Sequence, residues 1–144
     1  MNLYDNPKIQ DFNLEGVQHI SVNEVYELIV KDEVFIIDVR EEEEHEKEFF
    51  EFQNVFFYPM SSIMDSISFI PKEIPLVVVC NEGVRSTKVA NLLKRQGFTT
   101  VANMDGGIYA WKEKELPIIT VNMTNMNSNT CSTGGCGCGC DSCE

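Results

Sequence analysis

Four consecutive apolar residues, Leu76-Val77-Val78-Val79, run straight into Cys80-Asn81-Glu82-Gly83-Val84-Arg85 and then into a helical stretch from Ser86 to Gln96. A short, β-branched, unbroken apolar run is the pattern of a strand buried on both faces. A strand that passes so quickly into a helix is half of a βαβ unit, the repeating element of α/β folds. The junction also fixes the surroundings of one cysteine. Cys80 ends the strand and meets the free N–H groups and positive dipole end of the next helix. Such surroundings favour thiolate over thiol, and thiolate is the nucleophile. Free cysteines are often buried and inert. Gly83 and Arg85 argue against that here. Gly83 sits where positive φ or close ligand approach is needed. Arg85 is a permanent cation whose planar fork suits oxyanions.

The rest of the chain alternates in the same way. Gln18 to Ser21 reads as a short strand. Ser21-Val22-Asn23-Glu24 is a capping box, and Val22, Val25, Leu28 and Ile29 recur at helical spacing to about Lys31. Val34 to Val39 is a second doubly buried strand, and Glu41 to Glu48 is a charge run of the kind that forms a solvated helix face. Phe49, Phe50, Phe52, Val55, Phe56 and Phe57 are expected in the core. Met60 to Ile70 predicts a helix stopped by Pro71, and Gly97 is placed as the C-cap of the helix after the loop. Thr99 to Ala102 predicts a strand and Ile108 to Glu115 a last helix, with Tyr109 and Trp111 as core residues. Ligands in such sheets bind at the carboxyl ends of strands, which is where Cys80 lies.

Three segments carry a family resemblance. Cys80-Asn81-Glu82-Gly83-Val84-Arg85-Ser86 resembles the active-site loop of the rhodanese (sulfurtransferase) family. Phe35-Ile36-Ile37-Asp38-Val39-Arg40 resembles its strand ending in Asp-Val-Arg, and Met104-Asp105-Gly106-Gly107-Ile108-Tyr109-Ala110-Trp111 resembles its Asp-Gly-Gly turn and following helix. Leu116-Pro117-Ile118 closes the domain in the usual way. The resemblance implies an α/β fold: a mostly parallel central sheet with helices on both faces. The chain departs from the family near residue 49, where Glu48-Phe49-Phe50 stands in place of a Gly-His-Ile segment and Pro-Gly turn. The path of residues 48–58 is left open by the sequence. Asp38 and Arg40 are expected to brace the sheet through an ion pair.

The resemblance also implies an activity. Sulfane sulfur would pass from a donor, thiosulfate or a persulfide, to a thiol acceptor through a Cys80 persulfide. Cys80 and Arg85 would be catalytic, and Asn81, Glu82, Gly83, Val84 and Ser86 would bind the transferred group. No cofactor is needed for that reaction. Four residues separate Cys80 from Arg85. Cell-cycle phosphatases of similar fold carry one more, so the tighter loop suits a single added sulfur better than a phosphate. Glu82 places a negative charge in the loop, which should slow the approach of a dianion.

Charge and cysteine usage bound the rest. The net charge of −12 argues against nucleic acid and anionic membranes as partners. No stretch approaches the about 18 apolar residues of a membrane span. With no export signal apparent, a cytoplasmic location is expected. Residues 1–16 read as an N-terminal extension, 17–119 as the rhodanese-like domain, 120–130 as an Asn/Thr-rich flexible linker and 131–144 as a tail. That tail holds Cys131, Cys136, Cys138, Cys140 and Cys143, interleaved with glycines. Thiolates at this density suit soft metals, Cu(I), Zn²⁺ or an iron–sulfur cluster. They also suit accepting sulfur from Cys80 across the linker. A non-enzymatic metal- or redox-responsive module is therefore the alternative to an enzyme. His19 and His45 show no ligand spacing and receive no role.

Overall fold

The computed structural model describes residues 2–121. The chain divides into two compact units. One joins Met1–Glu42 with Phe50–Ile118, and the other, among the described residues, joins Glu43–Phe49 with the segment from Ile119.

In the first unit, β1 (Gln18–Ile20), β2 (Phe35–Asp38), β4 (Val55–Phe57), β5 (Leu76–Val79) and β6 (Val101–Met104) form a parallel sheet in the order β1-β6-β5-β2-β4. The apolar run Leu76–Val79 is the central strand, and all four residues are fully buried. Side chains alternate across a strand, so each face draws on every second residue. Ile36, Val77, Val79, Ala102 and Met104 pack with Val22, Val25 and Ile29 of helix α1 (Val22–Val30) and with Ile108 and Trp111 of helix α5 (Gly107–Glu113). Ile37, Leu76, Val78, Cys80 and Val101 pack with Ile63 of helix α3 (Ile63–Ser66) and with Val89, Ala90 and Leu93 of helix α4 (Val84–Arg95). The sheet is thus covered on both faces, as the unbroken apolar runs require.

Several boundaries differ from those expected. Helix α4 begins at Val84, because Gly83 takes a left-handed conformation (φ 95°) and serves as its N-cap. Gln96 caps the other end and Gly97, also at φ 95°, follows it. The stretch from Met60 is a short α3 flanked by 3-10 turns at Met60–Ser62 and Ile67–Phe69. Its serines compete for backbone hydrogen bonds and favour turns over a continuous helix. The Thr99 N–H bonds to the Lys72 carbonyl, and β6 runs from Val101 to Met104, pairing with β1 as far as Ile20. Trp111 is fully buried, but Tyr109 is half exposed, so the last helix turns only one aromatic inward.

The open segment 48–58 now has a path. Asn54 is buried and donates to the Val34 carbonyl at 2.8 Å, and Val55–Phe57 joins the sheet beside β2. Phe50 is buried edge-on against Trp111, ring centroids 4.9 Å apart. Phe52, Val55, Phe56 and Phe57 are only partly buried. Helix α2 (Glu42–Lys47), in the second unit from Glu43 onward, buries no residue and leads into β3 (Glu48–Phe49). This strand pairs antiparallel with β7 (Ile119–Thr120), and the Val121 N–H donates to the Lys47 carbonyl at 2.7 Å. Thr120 therefore lies in a strand, not at the start of a linker. Residues 122–144, with the rest of the expected linker and the cysteine tail, lie outside the described residues.

Asp38 and Arg40 form a fully buried ion pair. The guanidinium donates from Nε at 3.0 Å and from a terminal nitrogen at 2.9 Å, one bond to each carboxylate oxygen. Deleting one partner strands the other charge in the core. Arg40→Met is expected to lower unfolding stability by about 3–5 kcal/mol in urea titration. A loss under about 1 kcal/mol would show that the pair does not brace the domain.

Candidate active site

The site grows from the end of β5. The Val79 carbonyl is held by the Val39 N–H at 3.0 Å, so the strand is paired to its last residue. Cys80 follows and is 1% exposed. The chain then turns through Gly83 and enters α4, which folds two backbone donors back onto the cysteine. The Gly83 N–H lies 3.0 Å and the Ser86 N–H 3.3 Å from Sγ. The Ser86 hydroxyl oxygen is also 3.3 Å from Sγ. The sulfur therefore sits at a helix N-terminus, among donors oriented to meet negative charge. Asn81, Val84 and Arg85 are half-buried around this turn, Glu82 is exposed, and Gly83 and Ser86 are buried. All seven residues expected from the loop are thus brought together.

The backbone on the far side of Cys80 is held by α5. The Ile108 N–H donates to the Cys80 carbonyl at 2.9 Å, and the Tyr109 N–H to the Asn81 carbonyl at 3.0 Å. This approach explains the second glycine of Asp-Gly-Gly. A Cβ on Gly107 would lie 2.6 Å from the Cys80 oxygen and 2.5 Å from that of Asn81, a clash with backbone that cannot move aside.

Behind the loop is a buried polar cluster that the sequence reading missed. Ser86 Oγ donates to Asn103 Oδ1. Asn103 Nδ2 donates to Gln10 Oε1 at 2.9 Å and meets His19 Nδ1 at 3.0 Å. His19 Nε2 lies 2.7 Å from Asn13 Oδ1. With Nδ1 accepting and Nε2 donating, the ring is the neutral Nε2–H tautomer. Burial lowers the His19 pKa, while Asp105 and Asp5 pull it upward. Asp105 is itself buried and gathers the N-terminal arm. It accepts from Tyr4 Oη at 2.8 Å, from the Lys8 N–H at 2.7 Å, and from the Ile9 and Gln10 N–H groups at 3.1 Å each. Burial pushes the Tyr4 phenol above its ordinary range, and the Asp105 hydrogen bond and charge add to this. Residues 2–16 are thus folded onto the domain through specific bonds. One signal was present: Asn103 lies between apolar Ala102 and Met104, and His19 sits in a short strand beside Ile20, and buried polar groups need partners. Nothing in the pattern of residues 2–16 named those partners.

The described residues contain no cluster of three or more His, Cys, Asp or Glu side chains able to hold a metal. The five tail cysteines lie outside them. No helix among the described residues is long and apolar enough to cross a membrane.

A doubly covered parallel sheet with a cysteine-centred anion cradle at a strand end defines a class of α/β domain. The chain belongs to that of the rhodanese-like domain, whose family model matches residues 21–114. It is 34% identical over 95 residues to a thiosulfate sulfurtransferase GlpE of Coxiella burnetii, covering 66% of this chain and 87% of that one. A thiosulfate sulfurtransferase GlpE of Pseudoalteromonas translucida is 31% identical over 101 residues, covering 66% and 89%. Among solved structures, a rhodanese-like domain protein from Staphylococcus aureus matches with a TM-score of 0.59 at 32% identity, covering 65% of this chain and 89% of that one. A polysulfide-sulfur transferase homodimer from Wolinella succinogenes matches with a TM-score of 0.62 at 25% identity, covering 70% and 77%.

The buried histidine generates a pH prediction. Its folded-state pKa lies below the unfolded value of about 6.5, so unfolding takes up a proton in that range. Stability is then fully present above about pH 6.5 and is lost as pH falls toward the folded-state value. The melting temperature should fall more steeply between roughly pH 7 and 5 in the wild type than in His19→Gln. Parallel curves would mean that His19 does not couple to folding.

Proposed function

We propose that the protein is a sulfurtransferase that carries sulfane sulfur as a Cys80 persulfide. The observation that carries this reading is the pair of backbone N–H groups at 3.0 and 3.3 Å from the Cys80 sulfur, in a loop with four residues between Cys80 and Arg85. Sulfurtransferase relatives at 34% and 31% identity support it.

The reaction is a two-step covalent exchange. Cys80 thiolate attacks the outer sulfur of the donor. The bond between that sulfur and its old partner breaks, and the electron pair leaves with the partner, as sulfite if the donor is thiosulfate. Cys80 then carries a persulfide whose terminal sulfur is anionic. The loop N–H groups stabilise that charge, and Arg85 holds an anionic donor near the helix terminus. A thiol acceptor, as thiolate, takes the terminal sulfur and regenerates Cys80 thiolate. Charge favours a thiol-borne persulfide over thiosulfate as the donor. Glu82 is exposed in the loop and the chain carries a net charge of −12, so a dianion is repelled on approach. This site works without a cofactor, and the setting proposed for it is the cytoplasm, where thiol donors and acceptors stay reduced.

The five tail cysteines extend the proposal. They receive sulfur from Cys80 or hold a soft metal, in keeping with their spacing. One assay examines both parts, with donor and acceptor varied on the full chain, on Cys80→Ser and on a chain lacking residues 131–144. Ping-pong kinetics in the full chain and background rates in Cys80→Ser are expected. The truncated chain should lose bound metal or turn over more slowly with thiol acceptors. Retained turnover in Cys80→Ser would refute the persulfide route. A truncated chain unchanged in both metal and rate would refute the role of the tail.

A further inference from the structure

The cradle around Cys80 is braced by a residue that the family segment, residues 21–114, does not include. Gln10 sits in the N-terminal arm, and its amide is wedged between the reactive loop and the turn that opens α5. Oε1 accepts from the Gly106 N–H and from Asn103 Nδ2, each at 2.9 Å. The two hydrogens of Nε2 are shared among the Phe12 carbonyl at 2.8 Å, Thr87 Oγ1 at 3.0 Å and the Gly83 carbonyl at 3.2 Å. The orientation of the amide follows from the backbone. Gly106 N–H is a fixed donor, so the atom facing it must be oxygen, and the nitrogen must face Gly83 and Thr87.

Gln10 Oε1 and His19 Nδ1 both face the Asn103 side chain as acceptors, so Asn103 presents Nδ2 to them. Its oxygen is left to take the Ser86 hydroxyl proton. Gln10 therefore bears on both ends of the turn whose N–H groups reach the cysteine. It holds Gly83 directly and Ser86 through Asn103. The fit is tight. A Cβ on Gly83 would lie 1.8 Å from Gln10 Oε1. Asp105 supplies the anchor, accepting the main-chain N–H of Gln10 and of its two predecessors.

We propose that Gln10 is a positioning residue of the sulfur-transfer site, holding the Gly83 and Ser86 donors on Cys80. The proposal rests on the sulfurtransferase reading for its reaction but not for its geometry. Its test therefore includes a probe that needs no sulfur donor. In the full chain, the alkylation rate of Cys80 by iodoacetamide is followed by peptide-resolved mass spectrometry, which separates Cys80 from the tail cysteines. Gln10→Ala removes the whole brace. Gln10→Glu keeps the acceptor side toward Gly106 and Asn103 but loses the donors toward Gly83 and Thr87, and it decides the matter if Gln10→Ala does not fold. Tyr4→Phe is the control, since it removes one phenol hydrogen bond to Asp105 and leaves the main-chain and side-chain bonds of Gln10 in place.

Both Gln10 variants should alkylate Cys80 about tenfold more slowly than wild type, while Tyr4→Phe stays within about twofold even where its melting temperature falls. In the sulfur-transfer assay the same loss should appear in kcat, with KM for the donor little changed. Wild-type alkylation rates in the Gln10 variants would overturn the proposal. So would equal slowing in Tyr4→Phe, which would reduce the arm to a stabilising clamp. If the wild type fails to transfer sulfur while alkylation still depends on Gln10, the reaction assigned to the site is wrong and the positioning role stands.

Discussion

Two backbone N–H groups aimed at one sulfur organise the structure around them. Gly83 and Ser86 can both reach Cys80 only because the chain reverses within a few residues of leaving β5. That reversal needs the left-handed conformation at Gly83. The strand must also end at the right height. Its last carbonyl is bonded to Val39, and the next two, of Cys80 and Asn81, are bonded to the Ile108 and Tyr109 N–H groups in the first turn of α5. The cysteine is thus gripped from three elements before any side chain is considered. Backbone donors held this way need no reorganisation when a sulfur anion forms, which is the condition for electrostatic stabilisation.

Side chains reinforce the same point from behind. Buried Asn103 and His19 and half-buried Gln10 form a polar cluster, and every member has a partner, as burial of polar groups requires. Asp105 ties this cluster to the arm, and the adjacent Gly106-Gly107 lets α5 approach both the arm and the Cys80 loop. The Asp-Gly-Gly segment thereby serves two neighbours at once. Its acid collects N–H groups from residues 8–10, and its glycines clear space for Ile9 on one side and for the Cys80 backbone on the other.

Much of this was legible in the sequence, and the reasons differ by element. The central strand was plain because an unbroken run, Leu76–Val79, has few places to go other than the middle of a covered sheet. The turn after it was plain because a glycine three residues past Cys80 marks a left-handed position, which Gly83 takes. Helix α1 was marked by its Ser21 cap, whose hydroxyl accepts from the Glu24 N–H at 3.2 Å. Other parts depend on partners distant along the chain. Val55–Phe57 becomes an edge strand by pairing with Ile36–Asp38, about which its own aromatic-rich pattern says little. Tyr109 and Trp111 look equivalent in sequence, yet only Trp111 finds the Tyr26, Phe50 and Phe52 rings. Gln10 was invisible because nothing local distinguishes a glutamine in an arm from one in solvent.

Cys80 is the residue proposed to carry sulfur. The most direct measurement is to incubate the reduced full chain with thiosulfate or a small-thiol persulfide and locate added sulfur by peptide-resolved mass spectrometry. One extra sulfur on the Cys80 peptide, discharged when a thiol acceptor is added, is the predicted result. An unmodified Cys80 with both donors, in a chain that still turns over, would contradict it.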